Sequence, residues 1–94
     1  MATGGRPTGK LQVTQYRVQL IAAFLKLGQS LHKMSPHIYP DTPQSAYVNT
    51  RYLKTAYRAE IENTLASITN REEAERMIAA ISPKLQSATV RKTS

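Results

Sequence analysis

Apolar residues first recur with a helical period at Val13, Tyr16, Leu20, Phe24, Leu27 and Leu31. Ile21 and Leu25 widen this stripe. The pattern predicts one helix over residues 10–33, roughly 35 Å long at about 1.5 Å per residue. Gly28 either weakens its last turns or marks a close approach by a neighbour. Pro36, Pro40 and Pro43 then break the period, so 35–43 is expected to be a connector, with Ile38 and Tyr39 tacked onto the core. Thr42 followed by Pro43 is a good helix start. A second helix is predicted from Pro43 to Ser67 on the stripe Leu53, Tyr57, Ile61 and Leu65, supported by Val48, Tyr52 and Ala56. Asn70 with Glu73 three residues on has the form of a capping box, and opens a third helix with Ala74, Met77, Ile78 and Ile81 facing inward. Pro83 is expected to end or kink that helix near Ile81, with Leu85 as a last contact. No stretch alternates like a strand, and there is no internal repeat or glycine-rich phosphate loop. The expected architecture is all-α: a three-helix antiparallel bundle over residues 10–85, flanked by a flexible basic tail at 1–9 and a polar basic tail at 86–94.

The chain of 94 residues suits one domain, and a domain of this size buries only about 60–65% of its unfolded surface. The absence of cysteine removes disulfides, thiolate nucleophiles and Cys-ligated metal from consideration. Thirteen Lys and Arg against six Asp and Glu give a net charge of +7, which points to an acidic partner: nucleic acid, an anionic membrane or an acidic protein. Residues 1–40 carry five of the cations and no acid, whereas five of the six acids fall between Glu60 and Glu75. An acid-free basic N-terminal region is either a mild organelle-targeting signal of the mitochondrial kind or a solvated basic face, and Met1–Lys10 has no apolar core of a secretory signal. The run Leu20 to Leu27 is too short to span a bilayer.

Little here supports catalysis. His32 and His37 stand five residues apart with no carboxylate near them in sequence, which matches no metal-ligand spacing. No serine lies in a nucleophile-elbow context, and Glu72, Glu73 and Glu75 suit compensation of the helix dipole. The expectation is a protein that is not an enzyme, with no metal site and no cofactor of its own. Arg51, Lys54 and Arg58 share one helix face, and Arg17 sits early in the first helix; this is either solubilising charge or a docking face for an anionic partner. The apolar residues Leu20, Phe24, Leu27, Leu53, Ile61, Met77 and Ile78 form an elongated seam between the helices, serving either as closed core or as a tunnel for an apolar chain.

Three segments in order resemble a known family. Tyr16-Arg17 opens the first stripe; Tyr52-Leu53-Lys54-Thr55-Ala56-Tyr57-Arg58 carries a second aromatic–Arg pair; Asn70-Arg71-Glu72-Glu73-Ala74-Glu75-Arg76-Met77-Ile78 opens an acidic third helix. The order is similar to that of the LYR-motif family of small, basic, three-helix mitochondrial proteins, over about residues 11–85. Gln15 stands in place of the leucine of the motif, Tyr57 in place of its phenylalanine, and Glu60 in place of a frequent asparagine. The connector is longer than in compact members.

The resemblance implies a partner, the acidic mitochondrial acyl carrier protein, whose acyl-4′-phosphopantetheine arm would be the only cofactor involved. It implies that Arg17, Arg51, Lys54 and Arg58 meet the carrier's acids and the arm's phosphate, and that the acyl chain enters the seam. It further implies an adaptor in the matrix or on the matrix side of the inner membrane. Such an adaptor is an accessory subunit of a respiratory complex such as complex I or of the ATP synthase, or else an assembly factor. A small basic RNA-binding or mitochondrial ribosomal protein is the competing expectation from charge alone.

Overall fold

The computed structural model describes residues 10–89. The expected tail at 1–9 and residues 90–94 of the expected C-terminal tail lie outside the described residues. Among the described residues the chain is all-helical: α1 Lys10–Lys26, α2 Leu31–Ile38, a 3-10 turn Pro43–Ser45, α3 Ala46–Ala56, α4 Arg58–Ser67 and α5 Arg71–Thr89. Five α-helices thus replace the three expected. α1 is the central element. It packs chiefly on α5 and α4, while α2 packs chiefly on α3. Leu20, Ile21, Ala22 and Ala23 are all fully buried, so the middle of α1 is covered on every side. The principal extents of the fold are 37 × 31 × 24 Å.

The first helix ends early because Gly28 takes φ +79°. Gly28 N–H donates to Leu25 O at 2.9 Å and Gln29 N–H to Phe24 O at 3.0 Å. This pair of bonds is a Schellman cap, which requires a left-handed residue after the last turn. An added Cβ at Gly28 meets nothing within 4 Å, so the backbone conformation and not a close approach explains the glycine. Gly28→Ala is therefore expected to destabilise the protein by about 1–2 kcal/mol, the left-handed penalty alone, seen as a lower urea midpoint at unchanged slope. Ser30 then caps α2, its Oγ accepting from Lys33 N–H at 3.2 Å. Pro36 lies inside α2, contrary to the expected connector. Its missing N–H leaves the His32 carbonyl without its helical donor, and the Ser35 hydroxyl donates there instead at 3.3 Å. Burial of Met34 and Ile38 holds the helix to the core.

The expected helix from 43 to 67 is broken at Tyr57, which closes α3 and opens α4 with φ −114° and ψ 34°. The backbone bonds on either side persist, from Tyr57 N to Leu53 O at 2.8 Å and from Ile61 N to Tyr57 O at 2.9 Å. The break is a bend, and the stripe Leu53, Tyr57, Ile61 and Leu65 still packs in or against the core. Further up α3 the expected inward set is wrong: Val48, Tyr52 and Ala56 are exposed, and Ala46, Thr50 and Leu53 are buried.

The cap at Asn70 forms as expected, with Asn70 Oδ1 accepting from Glu73 N–H at 2.8 Å. The Glu73 carboxylate reaches one residue further back than a standard box and accepts from Thr69 N–H and from Thr69 Oγ1. These donors hold the Glu73 carboxyl below the ordinary carboxylate range. α5 runs through Pro83 to Thr89 and does not stop near Ile81. Leu85, beyond the proline, is fully buried. Burial of a leucine is worth about 1.5–3 kcal/mol, comparable with the roughly 3 kcal/mol cost of an interior proline.

Candidate functional site

The three cations expected to share a face stay together, although they are divided between two helices. Arg51 and Lys54 lie on α3, and Arg58 is the first residue of α4, just after the bend at Tyr57; all three are exposed. Lys54 and Arg58 line a cleft of about 540 Å³ with Leu25, Thr55, Ile61, Glu62 and Leu65. Leu25 comes from α1, so the cleft runs between the central helix and the bent α3–α4 pair. Its floor is apolar and its rim carries the two cations. Arg51 lies one turn before Lys54–Thr55 on α3, and its carbonyl accepts from the Thr55 hydroxyl at 3.2 Å.

Arg58 Nε donates to Glu62 Oε2 at 3.1 Å. The two side chains are 79% and 63% exposed. Exposed pairs at this helical spacing contribute only about 0.3–0.5 kcal/mol. Glu62 therefore holds Arg58 only weakly.

Arg17 is not part of this rim. Its Nε donates to the Ile38 carbonyl at 3.0 Å. Its Nη2 lies 3.5 Å from Asp41 Oδ1, and the guanidinium carbon sits 3.9 Å above the Tyr39 ring. The side chain is only 15% exposed. It ties the end of α2 and the following connector back onto α1. Burial pushes the Tyr39 phenol above its ordinary value, with Arg17 acting in the opposite direction.

Tyr16, the other half of the first aromatic–Arg pair, is half-buried and lines a shallow surface hollow with Pro83, Lys84, Ser87 and Ala88 at the end of α5. Gln12 Nε2 donates to its hydroxyl at 3.2 Å. Tyr57 is half-buried at the bend. The two tyrosines of the family-like pairs therefore pack, while the two arginines divide between a tether and the cleft.

Of the seven seam residues, Leu20, Phe24, Leu53 and Ile61 are buried, and Leu27, Met77 and Ile78 pack against them half-buried. The structure brings all seven into one core. Ile61 alone of the seven also lines the cleft. His32 stacks on Tyr47 with centroids 4.1 Å apart and planes 6° from parallel. His37 stacks on Phe24 at 5.3 Å. Among the described residues no group of three His, Asp or Glu side chains is placed to hold a metal ion, and no helix is long and apolar enough to cross a membrane.

Sequence reasoning missed the outward direction of Val48 and Tyr52, which are 66% and 68% exposed. The signal was present in the spacing: stepping back from Leu53 by three and seven residues gives Thr50 and Ala46. Those small side chains are weak markers of a buried face, and the larger neighbours drew the assignment instead. The Thr50 hydroxyl is buried with no hydrogen-bond partner. No protein-family model, curated protein or solved structure matches the chain.

Proposed function

We propose that the protein is a non-enzymatic mitochondrial adaptor of the LYR-motif type that binds acylated acyl carrier protein and serves as an accessory subunit of a respiratory or ATP-synthase complex. The observation that carries this reading is the cleft in which Lys54 and Arg58 stand over a floor of Leu25, Ile61 and Leu65. A ligand with an anionic group next to an apolar chain matches that arrangement. The carrier's acids and the arm's phosphate pair with Lys54, Arg58 and the nearby Arg51, and Glu62 gives up Arg58. The acyl chain lies against the apolar floor, and its route toward the seam passes Ile61. A chain bound there adds apolar contacts to a small core and stabilises the folded form by mass action.

Native mass spectrometry of the protein purified from its organelle at low salt tests the assignment. The expected spectrum contains a carrier-sized partner bearing phosphopantetheine and a fatty acyl mass. A bare chain or an RNA adduct contradicts it. Arg58→Glu is expected to weaken carrier binding about tenfold, read by titration calorimetry. Its thermal midpoint should hardly move, because the pair it loses is exposed. Unchanged affinity would remove Arg58 from the docking rim. The exposed Tyr52 beside Arg51 keeps one competing reading in view, a small basic RNA-binding or ribosomal protein, since an aromatic next to a guanidinium also suits a stacked base.

A further inference from the structure

We infer that Val48 and Tyr52 form the apolar anchor of the docking surface, so that the acidic partner lies across the outer face of α3 as well as over the cleft. The inference rests on the carrier-binding reading and adds to it residues that the charge pattern did not indicate.

Leu11, Val48 and Tyr52 are the large hydrophobic residues most open to solvent among the described residues. Two of these three fall on one helix, four residues apart, and therefore on one face. That same helix carries Arg51 and Lys54 and no acidic residue. Arg51 and Thr55 lie between the Val48–Tyr52 side of α3 and the Lys54 side, and Thr55 and Lys54 both line the cleft. A continuous surface thus runs from Tyr52 across Arg51 and Thr55 to the cations and apolar floor of the cleft. Aromatic and arginine side chains side by side are the composition of interface centres that contribute most to binding. Charge selects the kind of partner. Every charged residue of α1, α2 and α3 is basic, and Asp41, the one acid of the segment 10–56, faces Arg17. A second copy meeting this face with its own would set like charges against each other, whereas an acidic protein surface with an apolar centre complements this one.

The experiment measures the affinity of the full chain for a purified long-chain acyl carrier protein, with Tyr52→Ser, Val48→Ser and Leu11→Ser as variants. Tyr52→Ser is expected to weaken binding about thirtyfold, Val48→Ser less, and Leu11→Ser not at all. Thermal unfolding should be the same for all, since each site is exposed. A loss of less than about threefold for Tyr52→Ser overturns the inference while leaving the carrier reading standing. An equal loss for Leu11→Ser overturns it too, since that result means general stickiness. Failure of the unmodified protein to bind the carrier overturns both. Binding of an oligouridylate that weakens in Tyr52→Ser, without carrier binding, assigns the face to RNA and rejects an acidic protein partner.

Discussion

Leu20→Arg is expected to abolish the cooperative thermal unfolding of the protein. Leu20 is fully buried at the start of a run of four fully buried residues on the central helix. Truncating a leucine at such a site to alanine costs about 2–5 kcal/mol. Arginine adds overpacking and a buried charge with no carboxylate provided for it, a further several kcal/mol. At about 0.05–0.15 kcal/mol per residue, the whole chain has roughly 5–14 kcal/mol to lose. Far-UV circular dichroism on heating is the measurement. The unmodified protein should lose its helical signal in one sigmoidal step, and the variant in a shallow slope from low temperature. A sigmoidal transition within a few degrees of the original would show that Leu20 is not at the centre of the core.

Arg17→Met tests whether the first aromatic–Arg pair acts in folding or in binding. The substitution keeps the unbranched apolar stem and removes the guanidinium. The Ile38 carbonyl then loses its 3.0 Å donor, and Tyr39 loses the cation above its ring. A hydrogen bond from a charged group contributes about 1.5–3 kcal/mol, and a cation over an aromatic ring about 0.5–1 kcal/mol at a partly exposed site. The expected loss is about 2–4 kcal/mol, which lowers the thermal midpoint of a domain this size by roughly 10–30 °C. Hydrogen exchange should quicken first in α2 and the connector, the elements that Arg17 tethers. Carrier affinity measured well below the lowered midpoint should stay near that of the unmodified chain. The reverse pattern, intact stability with lost affinity, would return Arg17 to the docking surface.

Much of the helical layout was legible because it depends on local chemistry. The N-cap at Asn70 is readable from four consecutive residues, and the Asn70–Glu73 bond is there. The stripe from Leu53 to Leu65 is readable from spacing, and it packs as expected even though the helix bends at Tyr57. The bend itself has no local signature. No proline or glycine lies between Ala46 and Ser67 to announce it, and Tyr57 keeps its backbone bonds. Gly28 is ambiguous in the sequence, since a glycine inside an apolar period and a glycine that ends a helix are the same letter. What separates them is the φ of +79°, which follows from where the chain must turn to bring Met34 and Ile38 into the core.

The prolines illustrate the same division. Local rules treat Pro36 and Pro83 as helix breakers, yet both lie inside helices. The Ser35 hydroxyl supplies the missing donor in one case, and burial of Leu85 holds the helix beyond the proline in the other. The candidate site divides likewise. Lys54 and Arg58 come together on one rim because four residues separate them, and a bend of one residue does not undo that spacing. Arg17 lies away from the rim because the end of α2 and the connector after it, more than twenty residues later, offer it a carbonyl, a carboxylate and an aromatic ring.

By itself, the sequence determined the all-helical class, the basic balance of the N-terminal half, the cap of the last helix and the pairing of Lys54 with Arg58. Each of these is decided within one or two turns of chain, or by composition alone. Only the tertiary structure decided that five helices form rather than three, that Arg17 bonds to the end of α2 away from the cleft, and that Val48 and Tyr52 face outward. These outcomes depend on which long-range partner reaches a residue, and burial or a distant carbonyl outweighs the small local preferences that a sequence displays.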